Sequence, residues 1–216
     1  MKELLEETNR RPLVVASLGG EERLVDSARR ATKLGADLIE IRIDSLKPKE
    51  RANIKELIAA IKEATACPLI CTVRSLKEQG PDGNAAQMDR RERTILFKEA
   101  IPLVDWVDLE LEGDPSVQEA LGWAKAQKKT IIFSFHDFTG IPSEEKLKGL
   151  EAEFIKLEGN ILKIAGMAKT QGDVVQILQM CHAAAGVKRA FIAMGDIGRI
   201  SRVAGYFFGS CLAMAT

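Results

Sequence analysis

Lys163 lies inside an otherwise apolar run, Ile161-Leu162-Lys163-Ile164-Ala165, and His136 lies inside Phe133-Ser134-Phe135-His136-Asp137-Phe138. A lysine placed in a buried strand loses its hydration, which is costly and favours the neutral amine. The free amine is a nucleophile toward carbonyl carbon, and an imidazole moves protons near neutral pH. The pair therefore points to an enzyme that forms a Schiff base with a carbonyl substrate. Each residue alone also has an ordinary structural explanation. Lys163 could be a strand-end lysine whose ammonium reaches water, and His136 a hydrogen-bonded core histidine.

Other polar residues recur at alternate positions in β-rich runs. They are Glu40, Arg42 and Asp44; Thr72 and Arg74, with Glu78 just beyond; Asp108 and Glu110; and Ser134 with His136. Alternation places each set on one face of a strand. Ser17 ends an earlier run, and Met194, Ser201 and Arg202 follow a later one. Such a face could simply be solvated, as on one side of an antiparallel sheet. The charges compensate one another, however, with Arg42, Arg74, Arg202 and Lys163 set against Glu40, Asp44, Glu78 and Glu110. Buried ion-pair networks are costly to keep for stability alone, so a cluster of this kind reads as a site.

The elements that must position these groups alternate along the chain. Strands are expected at Leu13–Leu18, Asp37–Ile43, Leu69–Arg74, Trp106–Leu111, Thr130–His136, Ile161–Ala165, Ala190–Met194 and Ser210–Ala215. Helices are expected near 21–34, 49–65, 87–101, 116–127, 143–157, 171–185 and 198–206, with apolar residues recurring at three- and four-residue intervals, as in Ile54, Leu57, Ile58 and Ile61. Ser143, followed by Glu144 and Glu145, reads as a helix N-cap. Gly80-Pro81-Asp82-Gly83-Asn84 is the strongest loop signal.

Seven or eight such repeats specify a parallel sheet. The turn after the first strand, Leu18-Gly19-Gly20-Glu21, lacks the dinucleotide fingerprint. A single (β/α)8 barrel domain over residues 1–216 is expected, with catalytic groups at the C-terminal strand ends. The chain is short against about 250 residues typical of that fold.

Composition excludes several classes. Thirty-one basic and thirty-one acidic side chains cancel, so no basic excess argues for nucleic acid. No run approaches membrane-span length, and the charged N-terminus has no signal core. Cys67, Cys71, Cys181 and Cys211 are widely spread and lack histidine partners at zinc-like spacing. They read as free thiols of a cytoplasmic protein, and His182 reads as structural.

Six segments then stand out in order: Glu40-Ile41-Arg42-Ile43-Asp44, Thr72-Val73-Arg74-Ser75-Leu76-Lys77-Glu78, Asp108-Leu109-Glu110, Ser134-Phe135-His136-Asp137-Phe138, Leu162-Lys163-Ile164-Ala165, and Met194-Gly195 through Ile200-Ser201-Arg202. Together they resemble type I 3-dehydroquinate dehydratase, the Schiff-base enzyme of the shikimate pathway. The resemblance runs from Leu13 to about Ser210.

It implies that Lys163 attacks the C3 ketone of 3-dehydroquinate and that His136 acts as general base and then general acid. It implies no metal or organic cofactor, and a homodimer. Glu78 matches the acid that orients the histidine, although Gln79 follows where the family often has glycine. Glu40, Arg42 and Arg74 match substrate-binding positions, and Ser17 and Met194 match pocket-lining ones. Arg202 matches the guanidinium that clamps the substrate carboxylate. Asp44, Asp108 and Glu110 match charged positions near the lysine and histidine, in supporting roles.

The family pattern continues past its eighth strand with a Ser-Ala-Pro-Gly-Gln lid loop and a final helix. The sequence given ends at Thr216, so the lid contacts and that C-terminal helix are missing from it, whether by trimming or in a naturally shortened protein. Ala213-Met214 also replaces a Thr-aromatic pair. The expectation is encoded chemistry with weakened substrate closure. Two other readings stay open. One is a class I Schiff-base aldolase, which would want a phosphate cradle where Gly195-Asp196-Ile197-Gly198 supplies only part. The other is a truncated barrel that binds ligand without turnover.

Overall fold

The computed structural model describes residues 2–20, 23–80, 88–184 and 186–215. Strands β1 (Leu13–Leu18), β2 (Leu38–Arg42), β3 (Leu69–Thr72), β4 (Trp106–Glu110), β5 (Thr130–Asp137), β6 (Ile161–Met167), β7 (Arg189–Met194) and β8 (Leu212–Ala215) alternate with helices. The helices are α1 (Lys2–Glu7), α2 (Leu24–Lys33), α3 (Pro48–Arg51), α4 (Ile54–Ala64), α5 (Arg90–Ala100), α6 (Pro115–Ala126), α7 (Glu144–Lys156), α8 (Gln171–Ala183) and α9 (Ile200–Ala204). The chain forms two compact units, Val14–Ile131 with Met214–Thr216, and Met1–Leu13 with Ile132–Ala213.

In the first of these units β1 to β4 pair in parallel, each with the next. The register sets Ser17 beside Glu40, Arg42 beside Thr72, and Thr72 beside Asp108. Ile39, Ile41, Leu69, Cys71, Val107 and Leu109 fill the alternate positions and are fully buried. Burial on both faces is what a parallel sheet flanked by helices requires. Helix α4 buries Ile54, Ile58 and Ile61, one stripe of a 3.6-residue repeat.

In the other unit β5, β6 and β7 pair in parallel. Phe133 of β5 meets Phe154 of α7 edge to face, with ring centroids 6.4 Å apart. Cys211, at the entry to β8, donates its N–H to Arg189 O at 2.7 Å, and its carbonyl accepts from Leu13 N at 3.0 Å.

The expected strands are all present, with revised ends. Residues 73 and 74 leave β3 because the Arg74 N–H donates to the Asp44 carboxylate at 3.1 Å rather than to a neighbouring strand. β2 stops at Arg42, where Ile43–Ser45 turns as a 3-10 helix. The helix expected over 49–65 is broken after Arg51. There Asn53 Nδ2 donates to Lys49 O at 2.7 Å, a side chain competing for a helical carbonyl. The last expected helix, 198–206, is instead α9 between two 3-10 turns. α1 has no counterpart among the expected elements, being short and charged. The Pro81–Asn84 part of the expected loop, and the starts expected for α2 and α5, lie outside the described residues.

Caps match the sequence chemistry. Ser143 Oγ accepts from Lys146 N at the start of α7. Asp114 caps α6 by accepting from Ser116 N at 2.8 Å, with Pro115 in the first turn.

Two outcomes test this packing. Phe133 is fully buried, so Phe133→Ala should cost about 3–5 kcal/mol of stability in urea unfolding. At Asp114 burial favours the protonated carboxyl, but hydrogen bonds from Ser116 and the Arg93 charge outweigh it and hold the group below its ordinary range. A depressed folded pKa contributes stability above the unfolded value of about 3.9, and that contribution is lost as pH falls through the folded value. The stability advantage over Asp114→Asn should therefore be present at about pH 7 and shrink at about pH 3. An advantage independent of pH would contradict the assignment.

Candidate active site

The first unit gathers charge at the C-terminal ends of β2, β3 and β4. Glu40 accepts from Ser17 Oγ at 2.5 Å and from Thr72 Oγ1 at 2.7 Å, one hydroxyl on each carboxylate oxygen. Arg42 presents its fork to Asp44, with Nε 3.1 Å from Oδ1 and Nη2 2.7 Å from Oδ2. This bidentate pairing fixes the guanidinium plane. Gly19 permits it, since a Cβ there would stand 2.6 Å from Arg42 Cβ.

Arg74 is buried among carboxylates. Its Nη2 donates to Asp108 at 3.1 Å, and its Nη1 lies 3.5 Å from Glu78 and 3.9 Å from Glu110. Burial works against the charge, but Asp108, Glu110, Glu78 and Glu40 outweigh it and hold the guanidinium well above its ordinary range. Burial likewise opposes Arg42, and Asp44 overcomes it. Glu78, which could have been an exposed loop carboxylate, is buried in the 3-10 turn Leu76–Glu78.

The second unit carries the amine and the imidazole. Lys163 is the third residue of β6 and only 4% exposed, so it is not a snorkelling strand-end lysine. The register pairs Lys163 with Ser134 on β5 and with Ala190 on β7. His136 pairs with Ala165, two residues further along β6. Ser134, His136, Lys163 and Ala165 thus share one face of the sheet. With strands about 4.8 Å apart and a rise of about 3.3 Å per residue, the Lys163 and His136 backbones stand about 8 Å apart, within reach of two long side chains. Ile161, Ala165, Ala190 and Ile192 surround Lys163 on that face, an apolar setting for an amine. Met194 pairs with Met167 on the same face, beyond the lysine.

Arg202 comes from α9 rather than from a strand. Its place is set by the preceding residue: the buried Ser201 Oγ accepts from Ala193 N at 2.9 Å and donates to Gly198 O at 2.8 Å. A Cβ on Gly198 would lie 2.3 Å from Ala193 O, so only glycine allows the turn to press onto β7.

One participant was not singled out as functional from the sequence. Arg93 of α5 donates to Glu110 at 2.7 Å and to Val73 O at 2.9 Å, and pairs with Asp114. The available signal was its place on the buried stripe Arg93, Leu96, Phe97 and Ala100. Among the described residues, no group of three or more His, Cys, Asp or Glu side chains could hold a metal ion. Among them too, no helix is long and apolar enough to cross a membrane.

The sequence model described as type I 3-dehydroquinase matches residues 13–216. A 3-dehydroquinate dehydratase of Methanosarcina barkeri is 35% identical over 201 residues, spanning 90% of this chain and 81% of that protein. One from Methanothermobacter thermautotrophicus is 34% identical over 193 residues, spanning 89% and 81%. Among solved structures, the type I 3-dehydroquinate dehydratase of Clostridium difficile superposes with a TM-score of 0.85 at 27% identity, covering 95% of this chain and 84% of that one. The Enterococcus faecalis 3-dehydroquinate dehydratase gives 0.84 at 26%, covering 94% and 88%. The eight strands alternating with helices are those of the (β/α)8 barrel class shared with these structures. The chain belongs to the type I 3-dehydroquinase family.

Proposed function

We propose that this protein is a 3-dehydroquinate dehydratase, a hydro-lyase of the shikimate pathway, working through a Schiff base on Lys163. The observation that carries the reading is the buried lysine on β6 with His136 one strand away and one row nearer the C-terminal strand ends. Membership of the family supports the substrate.

The amine of Lys163 adds to the C3 carbonyl carbon, and loss of water gives an iminium. The iminium withdraws electrons from C2 and acidifies its proton. His136 takes that proton, and the C2–H electron pair moves into the C2–C3 bond to give an enamine. Its electrons then expel the C1 hydroxyl, which leaves as water with the proton returned from His136. Hydrolysis of the conjugated imine consumes the water lost at the first step and frees Lys163. The net products are 3-dehydroshikimate and one water, and no cofactor is required.

By the family pattern Glu78 takes the role of the acid partner of the histidine. By the same pattern Glu40, Arg42 and Arg74 take the roles of binding groups for the polyol and carboxylate face of the substrate, and Ser17 and Met194 those of pocket-lining residues. Arg202 clamps the C1 carboxylate, for which a planar fork suits better than an ammonium. Asp44, Asp108 and Glu110 support these groups by fixing the arginines. An aldolase acting on a sugar phosphate would need an anion cradle at the turn after β7. There Asp196 places an exposed carboxylate, ion-paired with Arg199 at 2.7 Å. The protein further reads as a cytoplasmic homodimer. Four free cysteines, three of them buried, suit a reducing compartment.

Borohydride reduction in the presence of 3-dehydroquinate, followed by peptide mass spectrometry, should place the adduct on Lys163. An adduct elsewhere, or none in an enzyme that turns over, would sink the mechanism. Appearance of the conjugated enone absorbance of dehydroshikimate separates this activity from aldol cleavage. His136→Ala should lower kcat by about 10²–10⁴ with the fold retained. Arg202→Lys should raise KM far more than it lowers the unfolding midpoint. Unchanged substrate binding in that variant would show the clamp to be misassigned.

A further inference from the structure

Arg93 is 2% exposed and sits on the buried stripe of α5, where an aliphatic residue would pack at lower desolvation cost. Its donors are used on three elements at once: Glu110 Oε2 on β4, the Val73 carbonyl just past β3, and Asp114 at the α6 cap. Its guanidinium carbon also lies 5.9 Å from the Phe97 ring centroid. This is not space-filling. Arg93 and Arg74 both line a cavity of about 360 Å³, which leaves space beside each.

The division of Glu110 is the informative detail. One oxygen, Oε2, belongs to Arg93. The other, Oε1, accepts from Ser75 N at 2.7 Å and stands 3.9 Å from Arg74 Nη1, beyond hydrogen-bond reach. Arg74 meanwhile lies 3.1 Å from Asp108 and 3.5 Å from Glu78. With Arg93 removed, Glu110 becomes a buried carboxylate short of a cation. The nearest alternative is Arg74, which has an adjoining cavity to turn through.

We propose that Arg93 is a positioning residue for Arg74: by holding Glu110, it leaves the Arg74 guanidinium aligned on Asp108 and Glu78 and available to substrate. The proposal rests on the reading of Arg74 as a substrate-binding group. Without Arg93 the Arg74 fork is drawn to Glu110, and binding suffers more than chemistry.

The test is steady-state dehydration of 3-dehydroquinate, with thermal melting, in wild type, Arg74→Lys, Arg93→Met, Glu110→Gln and the double variant Arg93→Met/Glu110→Gln. Arg93→Met should raise KM on the order of tenfold with kcat within about threefold, the pattern of lost binding rather than lost transition-state contact. Glutamine at 110 keeps the acceptor for Ser75 N but carries no charge to pull Arg74. The double variant should therefore melt cooperatively and show the KM of Glu110→Gln. If Arg93→Met does not fold, this comparison decides alone. A double variant that fails to fold, or whose KM rises above that of Glu110→Gln, overturns the proposal. So does a folded Arg93→Met with unchanged KM, or one losing kcat alone. An inactive wild type, or an Arg74→Lys variant with unaltered KM, would instead sink the underlying reading.

Discussion

A guanidinium removed from water must be surrounded by negative charge, and Arg74 imposes that requirement on the first unit. Asp108, Glu78 and Glu110 stand around it, and Asp44 receives its backbone N–H. Those carboxylates in turn need their own donors. Asp44 takes the Arg42 fork, Glu110 takes Arg93 and Ser75 N, and Glu40 takes two hydroxyls. The strand ends are thus one electrostatic unit rather than a set of pairs. Removing one member strands another in a medium that cannot solvate it, so effects there will be strongly non-additive.

The amine-bearing unit is built on the opposite principle. Around Lys163 the shared face is made of Ile161, Ala165, Ala190 and Ile192, with Ser134 beside it. Small and aliphatic neighbours keep the local dielectric low, which strengthens every polar interaction made there. Parallel register does the positioning. Two residues of offset along β5 carry His136 toward the strand ends without changing which face it uses.

Much of this was legible in the sequence. β-Rich runs alternating with amphipathic stretches gave the repeat, and β1 occupies Leu13–Leu18 as expected. Lys163 and His136 stood out because polar groups inside apolar runs carry a desolvation cost that demands a reason. What escaped was set by side chains acting on backbone. β3 ends early because Asp44 and Glu110 capture the N–H groups of Arg74 and Ser75, a long-range effect invisible to local periodicity. The break after Arg51 depends on one asparagine reaching back to Lys49 O. An arginine in a helical pattern ordinarily reads as surface, and Arg93 has no local feature that marks it as buried. Only the spacing to Leu96, Phe97 and Ala100 showed otherwise.

The contact between Gly198 and the Ala193 backbone, pinned by the Ser201 hydroxyl, has a wider implication. Where Arg202 departs from the main chain is set by the strand it follows. The stretch from Ala193 to Arg202 therefore amounts to a cassette, self-bracing and defined by three residues. Grafted after another parallel strand with a small side chain one residue before its end, it would deliver a guanidinium at a fixed height above the sheet.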